Sequence, residues 1–120
     1  MLVIDAANVI GSRPTGWWRD RPGATRHFTE QVRATVTAGL LEPPVTLVLE
    51  GVARDGADEA VLDGVEVVHA PGDGDDTVAA VAEAHLGVTV VTADRQLAAR
   101  VRAAGGEVVG PSWLLDRLVD

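Results

Sequence analysis

At 120 residues, 47% of them apolar, the chain is large enough for one domain with one core and too apolar to be a disordered tail. No apolar run reaches the ~20 residues that a membrane span needs, and the absence of cysteine excludes disulfides and thiolate metal sites and fits a reducing cytoplasm. A formal net charge of −8 argues against a protein that coats nucleic acid by bulk attraction. The basic residues are all arginine and unevenly spread: Arg13, Arg19, Arg21, Arg26 and Arg33 fall in the first third. The N-terminus has no basic stretch followed by an apolar run, so no signal peptide is expected, and residues 1–120 read as a single domain.

Leu2 to Asp5 reads as a buried strand that opens into a turn at an acid. Gly11 to Ala24 is punctuated by Gly11, Pro14, Gly16, Pro22 and Gly23 and reads as a loop. A helix is expected over Thr25 to Ala38, with Phe28, Val32, Val36 and Leu40 as its apolar stripe. Val45 to Leu49 is a second strand and ends on Glu50. The Gly-rich stretch from Gly51 to Gly64 holds at most a short helix near Asp58 to Leu62, and Val65 to His69 is a third strand. The acidic turn Pro71–Asp76 leads into a helix over Thr77 to Leu86, with Val78, Val81, Ala82 and Leu86 inward. Val88 to Thr92 is a fourth strand, followed by Asp94 and a helix over Arg95 to Ala104. Glu107 to Val109 is a short edge strand, and a helix over Pro111 to Val119 closes the chain. Apolar strands alternating with helices require a mostly parallel sheet covered on both faces, an α/β fold.

The acids follow the strands. Asp5, Glu50 and Asp94 stand at or just after the ends of strands one, two and four, and Asp73 to Asp76 follow strand three. In a parallel sheet these ends share one edge, where ligands bind in α/β folds. Converging carboxylates repel unless a cation neutralises them. An all-oxygen set without His or Cys suits Mg²⁺ or Mn²⁺, and such a site activates water for displacement at phosphorus. Taken singly, Asp76 and Asp94 also read as helix N-caps and Glu50 as a solvated strand end. Asp5 is harder to explain away, because an acid inside an apolar run is costly to bury.

Asp5-Ala6-Ala7-Asn8 resembles the D-x-x-N start of NYN domains, a branch of the PIN-like nuclease superfamily. Gly74-Asp75-Asp76-Thr77-Val78 resembles their acidic pair opening a helix, and Val91-Thr92-Ala93-Asp94-Arg95 resembles their T-x-D strand end. The order and spacing agree over nearly the whole chain. The resemblance implies a metal-dependent ribonuclease on a three-layer α/β/α sandwich with strand order 3-2-1-4-5. It implies that Asp5, Asp76 and Asp94 hold the metal, with Asp75 assisting, and that Asn8 orients an acid or a water. Glu50 stands where many relatives have Asp.

Trp17-Trp18-Arg19-Asp20-Arg21 lies in the loop after Asn8. Aromatic and guanidinium planes stack on unpaired bases and Arg pairs with phosphate, so Arg13, Trp17, Trp18, Arg19 and Arg21 form a candidate RNA-binding loop. The other use of these tryptophans is to fill a core that has only one Phe and no Tyr. The reading is a Mg²⁺- or Mn²⁺-dependent endoribonuclease acting on single-stranded RNA in the cytoplasm, with no membrane partner; a homodimer is left open. Its rivals are a non-catalytic RNA- or protein-binding module on the same fold and a small nucleotide phosphohydrolase.

Overall fold

The computed structural model describes residues 1–119. In chain order they form β1 (Leu2–Asp5), α1 (Ala6–Gly11), a 3₁₀ turn (Trp17–Arg19) and α2 (Arg21–Thr37). Then come β2 (Val45–Leu49), a 3₁₀ segment (Gly51–Gly56), β3 (Ala60–Leu62), β4 (Val65–His69) and α3 (Gly74–Ala84). β5 (Thr89–Val91), α4 (Arg95–Ala103), β6 (Glu107–Val109) and α5 (Pro111–Leu115) complete the chain.

One six-stranded sheet runs in the order β3-β4-β2-β1-β5-β6. The five strands expected from the sequence are parallel and take the expected order. The sixth, β3, was not expected: it pairs antiparallel with the outer edge of β4, where a short helix was expected. Its side chains are exposed, so no buried-strand pattern marks it. Alternate residues of the buried strands point to opposite faces. Ile4, Leu47, Leu49, Val65 and Val91 pack with Phe28 and Val32 of α2 and Leu114 of α5. Val3, Val48 and Val90 pack with Val78 and Ala82 of α3 and with Leu97 and Val101 of α4. The result is the expected three-layer sandwich.

Several boundaries differ from the sequence reading for physical reasons. α1 replaces the expected turn after Asp5; it is too short to show a period, yet Ala6, Val9 and Ile10 at helical spacing are all buried. α2 begins at Arg21 rather than Thr25. Pro22 lies in its first turn, where a missing N–H costs nothing, and the Asp20 carboxylate accepts the Gly23 N–H at 3.0 Å. α2 then stops at Thr37 with Gly39 at φ 80°, so Leu40 leaves the stripe and is 54% exposed while Leu41 is buried. α3 starts earlier, at Gly74, and ends at Ala84, which leaves Leu86 in solvent at 94% exposure. α5 ends at Leu115 rather than Val119.

A candidate active site of acids at the sheet edge

β1 runs between β2 and β5, and its last residue carries the only buried carboxylate among the described residues: Asp5 is 4% exposed. The register places Asp5 beside Val48, one residue short of the end of β2. The Thr92 hydroxyl, just past β5, donates to Asp5 Oδ2 at 3.0 Å and accepts the Asp94 N–H at 3.0 Å. One hydroxyl thus fixes the buried acid and the turn that carries the next acid. Asn8, in α1, accepts the Ala93 N–H on its Oδ1 at 2.7 Å and ties the same turn to the first helix.

Asp5, Asn8, Glu50, Asp73, Asp75 and Asp94 line one open cavity of about 320 Å³. Asp94 caps α4, its Oδ1 accepting the N–H groups of Gln96 and Leu97. These bonds hold its carboxyl below the ordinary range. Asp73 caps α3 through the Asp75 N–H. Glu50 accepts the Gly74 N–H at 3.0 Å, so it also serves the start of α3. A Cβ on Gly74 would lie 3.1 Å from the Glu50 carboxyl carbon. Gly74→Val should therefore push Glu50 off the helix end and lower stability by about 1–2 kcal/mol, measured by thermal melting, whereas the exposed Gly72→Ala should change it little.

Two acids here bind protons tightly. Burial pushes Asp5 up to about 6 from an ordinary 3.8; the Thr92 hydrogen bond opposes this, and the charges of Asp75 and Glu50 add to it. Asp75 is also pushed up to about 6, by desolvation first and then by the charges of Asp94, Asp73 and Glu50.

Asp76 is not among the residues brought together. Because α3 starts at Gly74, the two acids of its first turn diverge by about 100° around the axis. Asp75 faces the cavity, and Asp76 faces α4, where Arg100 Nη1 donates to it at 2.9 Å. Both partners are well exposed, so the pair is worth at most about 1 kcal/mol. Thr92 is the site residue that the sequence reading did not single out, although it stands inside a motif quoted there; Asp73 was named only as part of the acidic cluster after strand three.

The arginine and tryptophan loop lies on the α1–α2 side. Trp17 is half-buried against the core, and Trp18 is 56% exposed and meets it edge-on at 5.9 Å. Arg19 lies over Trp18 at 5.9 Å and Arg21 over Trp17 at 5.6 Å. Arg13 instead donates to Gln31 at 3.0 Å, within the fold. His69 is held by the Ala57 carbonyl and His85 is exposed, so neither joins the acids.

No family profile and no curated protein matches the chain. Solved structures do. The chain shares its fold with Rae1 (YacP) from Bacillus subtilis. One structure of Rae1 matches with a TM-score of 0.69 and 18% identity over 97% of this chain and 71% of that one. A tryptophan-to-leucine variant of Rae1 matches at 0.66 and 17% identity over 96% and 71%. At such identity the likeness is one of fold, and it covers the same three layers that bring the acids to one edge.

Among the described residues, no three acidic or histidine side chains converge closely enough to hold an ion as they stand. The donor chemistry nonetheless fits a hard divalent cation. The cavity offers oxygen ligands, and although burial is the main cause of the raised proton affinity of Asp5 and Asp75, the neighbouring carboxylates add to it with a negative charge that a cation would offset.

Proposed function

We propose that the chain is a metal-dependent ribonuclease that hydrolyses phosphodiester bonds of single-stranded RNA. The observation that carries this is a buried carboxylate, Asp5, at the ligand-binding edge of a parallel sheet, facing a cavity ringed by Asp75, Asp94, Glu50 and Asn8. The NYN-like motifs and the fold shared with Rae1 support the same reading.

Asp5, Asp75 and Asp94 would hold Mg²⁺ or Mn²⁺, with Glu50 and Asp73 at the margin. When bound, such an ion supplies Lewis-acid polarisation of a phosphoryl oxygen and a lowered water pKa. Thr92 keeps Asp5 oriented, and its bond to the Asp94 N–H sets the distance between the two acids. Asp75 and Asp94 line the same cavity as Asp5, which would let both serve as ligands there. Asn8 holds the turn at Ala93 in place. A cytoplasmic location is part of the proposal and a homodimer is left open; among the described residues no helix is long and apolar enough to cross a membrane.

The direct test is incubation with a mixed single-stranded RNA in Mn²⁺ or in chelator. Cleavage that needs the metal supports the reading, and equal degradation in both buffers sinks it. A second reading, a non-catalytic RNA-binding module, is favoured by the lack of a ready-made ligand triad and by the capping duty of Asp94. The two share one expectation. Arg19→Ala with Arg21→Ala should weaken RNA binding and flatten its salt dependence, because fewer counterions are released. An unchanged affinity and salt slope in filter binding would mean that RNA does not approach over this loop.

A further inference from the structure

Beside the acids lies a second and larger cavity that hydrolytic chemistry does not use. It measures about 580 Å³, within the range of about 300–1,000 Å³ typical of small-molecule sites. Its lining is mainly apolar: Ala7 and Ile10 from α1, Val52 and Ala53 from the 3₁₀ segment, Trp17 from the 3₁₀ turn before α2, and Arg21 from the start of α2. Ala7, Glu50 and Asp73 line both cavities, so the two adjoin.

Two details indicate what could occupy it. Arg21 lies 5.6 Å from the centre of the Trp17 ring, whereas Arg117 sits on Trp113 at 3.9 Å. The Arg21 guanidinium therefore lies over the indole more loosely, still within cation–π range, and both groups line the cavity. The one ion pair among the described residues joins Arg100 to Asp76, so Arg21 has no carboxylate partner there. An indole beside an unpaired guanidinium at the mouth of an apolar cavity matches a nucleotide, with a flat apolar base and an anionic phosphate. Val52, apolar yet 52% exposed, borders the same opening.

We propose that this cavity is a nucleobase subsite. One unpaired base of the RNA stacks on Trp17, Arg21 takes its phosphate, and the adjoining phosphodiester is led over Asp5 and Asp75. The inference rests on the ribonuclease reading for the scissile bond and adds to it a reason why the strand must be single: a paired base cannot enter.

The test is a single-stranded RNA hexamer in chelator, with 2-aminopurine placed at each position in turn and its fluorescence followed on titration. Quenching should be strong at one position. Trp17→Leu should remove that quenching and weaken binding about tenfold, the scale of one stacked base, while Trp17→Phe stays within about threefold of the parent. Val52→Trp, which fills the cavity from its exposed side and leaves Trp17 in place, should weaken binding as much. If Trp17→Leu or Val52→Trp binds and quenches like the parent, or if Trp17→Phe is as weak as Trp17→Leu, there is no base subsite here. Metal-dependent cleavage with unchanged Trp17→Leu binding would overturn the subsite and leave the ribonuclease reading standing. Trp17-dependent binding without cleavage in Mn²⁺ would do the reverse.

Discussion

Asp5→Asn should slow RNA cleavage in Mn²⁺ by at least about 10²-fold, the loss typical when one preorganised electrostatic group is removed. Asparagine keeps the size of the side chain and can still accept the Thr92 hydroxyl, so the substitution removes charge and little else. The structure also separates the two acids that open α3. Asp75→Asn alters a carboxylate facing the cavity and should fall by a similar factor, whereas Asp76→Asn breaks only an exposed pair with Arg100 and should stay within about threefold of the parent. Asp94→Asn is less clean, because it weakens the cap of α4 as well as the site. Single-turnover cleavage of one labelled strand by the parent and the first three variants checks this. Equal rates for Asp5→Asn and the parent would trace the activity to a contaminant, and a large loss in Asp76→Asn alone would place the site on the other side of α3.

Most of the fold was legible because the strands are apolar and the links short. Five strands alternating with helices leave few arrangements other than a parallel sheet covered on both faces. The segments that could not be read are those whose residues carry no period: α1 is one and a half turns, and β3 is three exposed residues on an edge. The convergence of acids was legible from topology alone, since parallel strands end on one edge. Which acid of the Asp75–Asp76 pair faces that edge was not, because it depends on where α3 begins. The capping Asp73 and the Glu50 contact at Gly74 set that start three residues earlier than expected, which puts Asp75 and Asp76 on the helix, where successive side chains point about 100° apart. The cap and site readings of Asp94 do not exclude one another: Oδ1 accepts both helix N–H groups while the residue still lines the cavity. Nor could sequence spacing disclose the cavity between Trp17 and Val52, which lie 35 positions apart and meet only through the fold.

In chelator, the stability of the parent relative to Asp5→Asn should fall as pH rises from about 4 to about 7. The sign follows from where the proton is held more tightly. Asp5 is raised in the folded protein to about 6 from 3.8, so folding favours its protonated form. The stability this contributes is fully present below pH 3.8 and is lost as pH climbs through about 6. Above that range the folded state must keep a buried negative charge beside Asp75 and Glu50. The carboxamide of the variant is neutral throughout and escapes this cost. The variant should thus match the parent near pH 4 and exceed it near pH 7 by on the order of 1–3 kcal/mol. Added Mn²⁺ should reverse the order at neutral pH. A cation that binds only the folded state raises the melting temperature of the parent, and it competes with the proton on Asp5, so its effect should grow with pH. The variant, lacking the central charge, should gain much less. Thermal melts of two proteins across pH 4 to 7, with chelator or Mn²⁺, provide the comparison. A purely structural Asp5 gives another pattern: loss of its carboxylate would destabilise the fold by about 1–3 kcal/mol at every pH, and metal would shift neither protein. That outcome would remove the metal site and leave the fold as a binding module.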